Sequence, residues 1–138
     1  MKILAILVAS LALGTAALAA CGGDDEATAD CGKQETEDVN PSTDTLDVSA
    51  PESGAFDYDQ DCLEATPGTV TATFDNPAPI AHDFCIEDGG DELGCTELIA
   101  DGDTDTLQVE LDEGDYAYYC SVAGHREGGM EGVLTVKQ

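Results

Sequence analysis

Positive charge is almost missing from this sequence: its 138 residues carry 4 Lys and Arg against 30 Asp and Glu, a formal net charge of −26. Nucleic acid is thereby excluded as a general partner, since phosphate binding needs clustered cations. The acids are spread over every loop, not gathered on one face. That distribution fits a surface adapted to high salt better than a docking field, because at 1 M salt the screening length is only about 3 Å. No amphipathic run of helical length follows the first 20 residues, which argues against a helical fold. No internal repeat is present, which excludes a solenoid. Histidine and methionine number two each, and one methionine is the initiator.

Against that scarcity, the stretch Tyr116 to Val136, YAYYCSVAGHREGGMEGVLTV, concentrates chemistry. Cys120, His125 and Met130 follow the spacing C-x4-H-x4-M on a glycine-rich loop between two segments that alternate like strands. A thiolate, an imidazole and a thioether are soft ligands. With a second imidazole they form the set that holds one mononuclear type 1, or blue, copper ion. His82, in NPAPIAHDF, is the one other histidine and the candidate for that place. Blander readings exist: His82 as a satisfied core histidine, Met130 as gap-filling core, or the C-x4-H loop as a zinc site. Zinc rarely takes a thioether, and its structural sites usually show a further Cys or His pair. We therefore adopt copper.

Alternation and punctuation predict about eight strands, at Thr45 to Ala50, Ala55 to Leu63, Thr69 to Asp75, Ala81 to Glu87, Thr96 to Ala100, Thr104 to Leu111, Asp115 to Cys120 and Gly132 to Lys137. Turns are expected at Pro51 to Gly54, Pro67-Gly68, Asp88 to Gly90 and Asp112 to Gly114. Short strands at this spacing make an all-β sandwich. Period two puts Tyr116, Tyr118 and Cys120 on one face of their strand and Ile80, His82 and Phe84 on one face of theirs. Cys120 and His82 can then both point inward, while Asp83 and Cys85 face the other way, Cys85 as a peripheral disulfide cysteine.

From about Asp44 to Gln138 the chain resembles a small bacterial or archaeal cupredoxin of the plastocyanin and azurin superfamily. PGTVTATFDNPAPIAHDF and EGDYAYYCSVAGHREGGMEGVLTV carry the match. The Cys-to-His spacing is like that of azurins, and the full C-x4-H-x4-M like that of auracyanins and sulfocyanins. The resemblance implies a Greek-key β-sandwich with copper at one end, Met130 as axial ligand and the backbone N–H of Asp83 donating to Cys120. It also implies that His125 reaches the surface through an apolar patch near Pro77, Ala78 and Pro79, where redox protein donors and acceptors dock on a monomer. Two residues depart from the common pattern. Asp83 stands where many relatives have Asn, so its carboxylate, which can accept from Ser121, should lower the reduction potential. Ala123 stands where many have Pro, which should loosen the loop.

The N-terminus, MKILAILVASLALGTAALAA, reads as a signal peptide, and Leu18-Ala19-Ala20-Cys21 looks like a bacterial lipobox. A diacylglyceryl group on Cys21 would anchor an exported protein to the extracytoplasmic face of the cell membrane. An ordinary signal with Cys21 incidental is the competing reading. Residues 22–43 offer almost nothing to bury and read as an acidic flexible tether, followed by a cupredoxin domain at 44–138. With Cys21 on lipid and Cys120 on copper, Cys31, Cys62, Cys85 and Cys95 remain, an even number in an oxidising setting. Three pairings are possible and sequence cannot choose among them. We favour Cys85 with Cys95, across the end of a loop, and Cys31 with Cys62, stapling the tether to the domain.

Three functions compete. A carrier of single electrons between membrane-associated redox partners needs one complete site. Copper delivery or storage is the alternative, usually marked by Met-rich or His-rich extensions, which this chain does not have. A copper enzyme needs further coppers and substrate ligands, for which two histidines are too few. A binuclear copper loop needs two cysteines, and this one has only Cys120.

Overall fold

The computed structural model describes Cys31 and residues 45–138. The signal peptide, the lipobox at Cys21 and most of the tether lie outside the described residues. Eight strands form two sheets: β1 (Thr45–Ser49), β2 (Cys62–Ala65), β3 (Gly68–Asn76), β4 (Cys85–Asp88), β5 (Asp91–Cys95), β6 (Asp103–Leu111), β7 (Gly114–Tyr119) and β8 (Glu131–Val136). One sheet has the order β1-β3-β6 and the other β2-β8-β7-β4-β5. Among sequential neighbours only β4–β5 and β7–β8 pair directly. Every other connection crosses from one sheet to the other, which makes the sandwich.

Strand alternation builds the core. Val70, Ala72, Phe74 and Asn76 of β3, Leu46 and Val48 of β1, and Gly132, Leu134 and Val136 of β8 point inward, while their neighbours are more exposed. With Leu63, Ala65, Leu107, Leu111 and Tyr118 these side chains fill the space between the sheets. Gly132 is required by a close approach: a Cβ there would lie 2.2 Å from the Tyr118 ring and 2.6 Å from the Asp61 carbonyl. The β4–β5 hairpin turns at Gly89 and Gly90, whose φ of 55° and 94° match the turn that suits twisted strands.

Three expected strands differ. Ala55 to Leu63 is strand only from Cys62, because the segment before it makes local turns: Asp57 N–H bonds the Ala55 carbonyl and Tyr58 N–H the Asp57 carboxylate. Ala81 to Glu87 joins the ladder only at Cys85, with His82 held beforehand in a single bridge to Ile99. Thr96 to Ala100 is not a strand at all. The partner of β4 is instead Asp91–Cys95, whose acid-rich edge carries no apolar alternation to announce it. Nor do Asp83 and Cys85 face outward: they are 5% and 0% exposed, whereas Ile80 is 43% exposed. The irregular backbone before β4 breaks the period-two rule there, so consecutive residues 82–86 are all buried.

Candidate metal centre

The topology brings the site together. Because β4 pairs with β7, with Cys85 opposite Tyr119, the residues just before β4 meet those just after β7. His82 is fixed by two backbone bonds with Ile99, each 3.0 Å. Cys120 N–H bonds the Met130 carbonyl at 3.1 Å, closing the ligand loop at its neck, and Met130 N–H bonds the His125 carbonyl at 3.0 Å. Turns at Val122–His125 and Gly124–Gly128 fold the loop on itself.

Three donor atoms converge. His82 Nδ1 lies 3.1 Å from His125 Nδ1, and Cys120 Sγ lies 3.9 Å from His82 Nδ1 and 3.5 Å from His125 Nδ1. A point equidistant from all three is about 2 Å from each, close to ordinary metal–nitrogen and metal–sulfur bond lengths. His82, Met130, Cys120 and His125 are 0, 0, 1 and 6% exposed, so the site is sealed by protein. A second group, Asp83, Cys85 and Cys95, is also close together. It offers no thiolate, because Cys85 and Cys95 are joined in a disulfide across the β4–β5 hairpin. Cys31 and Cys62 are joined likewise, and Cys120 is the free cysteine among the described residues.

Burial sets the protonation of the donors. Burial, then the neighbouring His125, lowers the His82 pKa, with Asp83 opposing, so its imidazole is kept in the neutral form that ligates. Its Nε2 is buried without a hydrogen-bond partner. The ring is therefore oriented by packing and by whatever Nδ1 binds. Burial pushes the Cys120 thiol up to about 11, opposed by the backbone N–H groups of Asp83 and Val122, which donate to the sulfur. A cation in the triangle is what would make the thiolate the stable form.

Around the donors a second set of contacts holds Asp83 at three points. Its carboxylate accepts the Ser121 N–H at 2.7 Å and the Ser121 hydroxyl, its N–H faces Cys120, and its carbonyl accepts the Tyr58 hydroxyl at 2.7 Å. Arg126, directly after His125, donates to Glu87 at 2.6 Å and to Glu131 at 2.7 Å, and its guanidinium lies 4.4 Å from the Tyr119 ring centroid. The loop that lacks a proline at Ala123 is thus tied to β4, β7 and β8 by one arginine.

Sequence reasoning missed the segment between β1 and β2. Phe56 stacks on His125, with ring centroids 4.0 Å apart and planes 20° apart, and meets His82 edge-on at 6.5 Å. Tyr58, two residues on, turns inward to the Asp83 carbonyl and packs edge-on against Phe74, Phe84 and Tyr118. The alternation of FDYD carried the signal, but it reads equally as a strand. His125 consequently does not open to solvent as expected: Phe56, 40% exposed, lies over it.

An all-β sandwich with a buried Cys-His-His triangle at one end defines the class of cupredoxin copper proteins. Residues 44–137 match the copper binding proteins of the plastocyanin/azurin family, and the chain belongs to that family. Among solved structures it is similar to the dithionite-reduced auracyanin of the photosynthetic bacterium Roseiflexus castenholzii, at 21% identity and a TM-score of 0.63 over 70% of this chain and 99% of that one. It is also similar to auracyanin A, a "blue" copper protein from Chloroflexus aurantiacus, at 18% and 0.60 over 70% and 100%. Rusticyanin from Thiobacillus ferrooxidans aligns at 22% and 0.62 over 75% and 85%. No curated protein sequence matches the chain. The cofactor of this site is copper, and the general activity of the family is copper electron transfer.

Proposed function

We propose that this protein is a mononuclear blue copper carrier that moves single electrons between membrane-associated redox partners. His82, Cys120 and His125, with the buried Met130, would hold the copper. The observation that carries this reading is the triangle of Nδ1, Nδ1 and Sγ, buried and sized for a metal bond on each side. Bound copper supplies a one-electron couple between its +1 and +2 states.

The protein's own part is rigidity. His82 is locked by the Ile99 bridge, Cys120 by Met130 and by N–H donors to its sulfur, and His125 by the turns of its loop and the Phe56 ring. Donors held this firmly change position little when the metal's charge changes, which keeps the reorganisation cost of transfer small. The Asp83 carboxylate, beside Cys120 and 5% exposed, favours the more positive metal state and so a lower potential than Asn would give. No helix among the described residues is long and apolar enough to cross a membrane. Membrane attachment in this reading comes from a lipid on Cys21 after export, with residues 22–43 giving reach.

One equivalent of copper(II) added to the metal-free protein tests the function, followed by visible absorption, electron paramagnetic resonance and redox cycling. An intense blue band with narrow hyperfine splitting that bleaches and returns is expected. A colourless complex, or binding of copper(I) alone, would replace the carrier by a copper-delivery protein.

A further inference from the structure

The ring of Phe56 is neither core nor ordinary surface. Some 40% of the residue is exposed, yet one ring face lies flat on the His125 imidazole at a 4.0 Å centroid distance. The loop beneath is cut to fit it. A Cβ on Gly128 would lie 2.6 Å from Phe56 Cδ2, so only glycine at that position leaves the ring its seat. The neighbouring Gly129, at φ 113°, turns the chain away below the Phe56 carbonyl. Phe56 is also anchored from its far side, since Tyr58 is pinned in the core to Asp83 and Asp59 N–H bonds the Ser49 carbonyl. The segment that carries the ring is thus held on its C-terminal side, and the ring lies over His125, at 6% the most exposed of the four candidate ligands.

We propose that Phe56 is a lid on the metal centre: it positions the His125 imidazole for ligation and slows exchange of the bound ion. The inference rests on the copper reading above and deepens it, because a carrier must keep its metal through many cycles whereas a delivery protein must release it. The physical argument is direct. For the ion to leave, the imidazole must swing off, and a ring stacked on it blocks that rotation. An offset-stacked pair contributes about 0.5–1.5 kcal/mol beyond burial, which corresponds to roughly a two- to tenfold change in rate or affinity. Phe56 acts through His125 and is a positioning residue, not a ligand.

The test uses the full chain with Phe56→Leu, which keeps apolar volume but removes the ring, and Phe56→Tyr, which restores it. In the metal-free protein, proton NMR of the His125 ring should show an upfield ring-current displacement that is lost in Phe56→Leu and regained in Phe56→Tyr. In the copper-loaded protein, transfer of copper(I) to a strong chelator should be two- to tenfold faster in Phe56→Leu and near wild type in Phe56→Tyr. A blue wild-type protein whose Phe56→Leu variant releases copper at the same rate would overturn the lid. A wild-type protein that never forms a blue site would overturn the copper reading and the metal-retention role with it. The metal-free ring-current measurement would then still report the stack, which keeps the two failures distinct.

Discussion

Replacing Arg126 by Met should loosen the ligand loop, and its cost can be worked from the contacts. The guanidinium makes two charge-assisted hydrogen bonds, to Glu87 and Glu131, and one cation–π contact with Tyr119. The Arg126 side chain is 36% exposed and its partners 12% and 20%, so full buried-pair values do not apply. About 0.5–1 kcal/mol for each ion pair and about 0.5–1 kcal/mol for the aromatic contact sum to roughly 2 kcal/mol. Removal also leaves Glu87 and Glu131 without their shared cation, in a domain whose other cation is Lys137. For a domain of this size about 2 kcal/mol lowers the melting temperature by roughly 10 °C. Differential scanning calorimetry in low salt and in 1 M salt is the assay. The difference should shrink in high salt, and Arg126→Lys should recover part of it by restoring charge without the fork. A loss under 2 °C, or a loss indifferent to salt, would refute the view that this arginine ties the loop by charge.

Other expectations follow from single contacts. Gly132→Ala drives a Cβ into the Tyr118 ring and the Asp61 carbonyl, and overpacking of this kind costs about 1–3 kcal/mol, read as a lowered denaturant midpoint. Asp83→Asn removes a buried negative charge beside Cys120 and should raise the reduction potential in voltammetry, with an unchanged or lower value contradicting the electrostatic argument. Met130→Leu should keep copper and shift its potential, and an unshifted potential would remove Met130 from the axial position. Asp105 accepts the Glu97 N–H at 2.7 Å, which, with the Thr106 N–H, holds its carboxyl below the usual range. A carboxyl depressed by folding stabilises above its unfolded pKa and loses that contribution as pH falls through the folded one. The tie to Glu97 should therefore fail on acidification, and an NMR titration of Asp105 that follows an ordinary carboxylate would contradict it.

The donor set was legible because scarcity did the selecting: two histidines and one non-initiator methionine leave little choice once C-x4-H-x4-M is seen. Strands β3, β6, β7 and β8 were legible because each has one more buried face and one wetter one. The metal end was harder for a reason internal to it. A closed site needs irregular backbone to aim consecutive side chains at one point, as residues 82–86 do, and such backbone breaks the period from which strands are read. Phe56 and Tyr58 illustrate the cost: their alternation is real, but it divides them between a lid and a core contact instead of placing both on one face of a strand. The partners of Arg126 are far from it in sequence or on a strand outside its loop, and only the β4–β7–β8 pairing places Glu87, Tyr119 and Glu131 around it.

Copper added to Cys120→Ser, compared with wild type by visible absorption and electron paramagnetic resonance, tests the central claim most directly. The blue band arises from thiolate-to-copper charge transfer, so it should be lost completely in the variant while the other donors remain. A blue band that survives the loss of the Cys120 sulfur would contradict the assignment of the site.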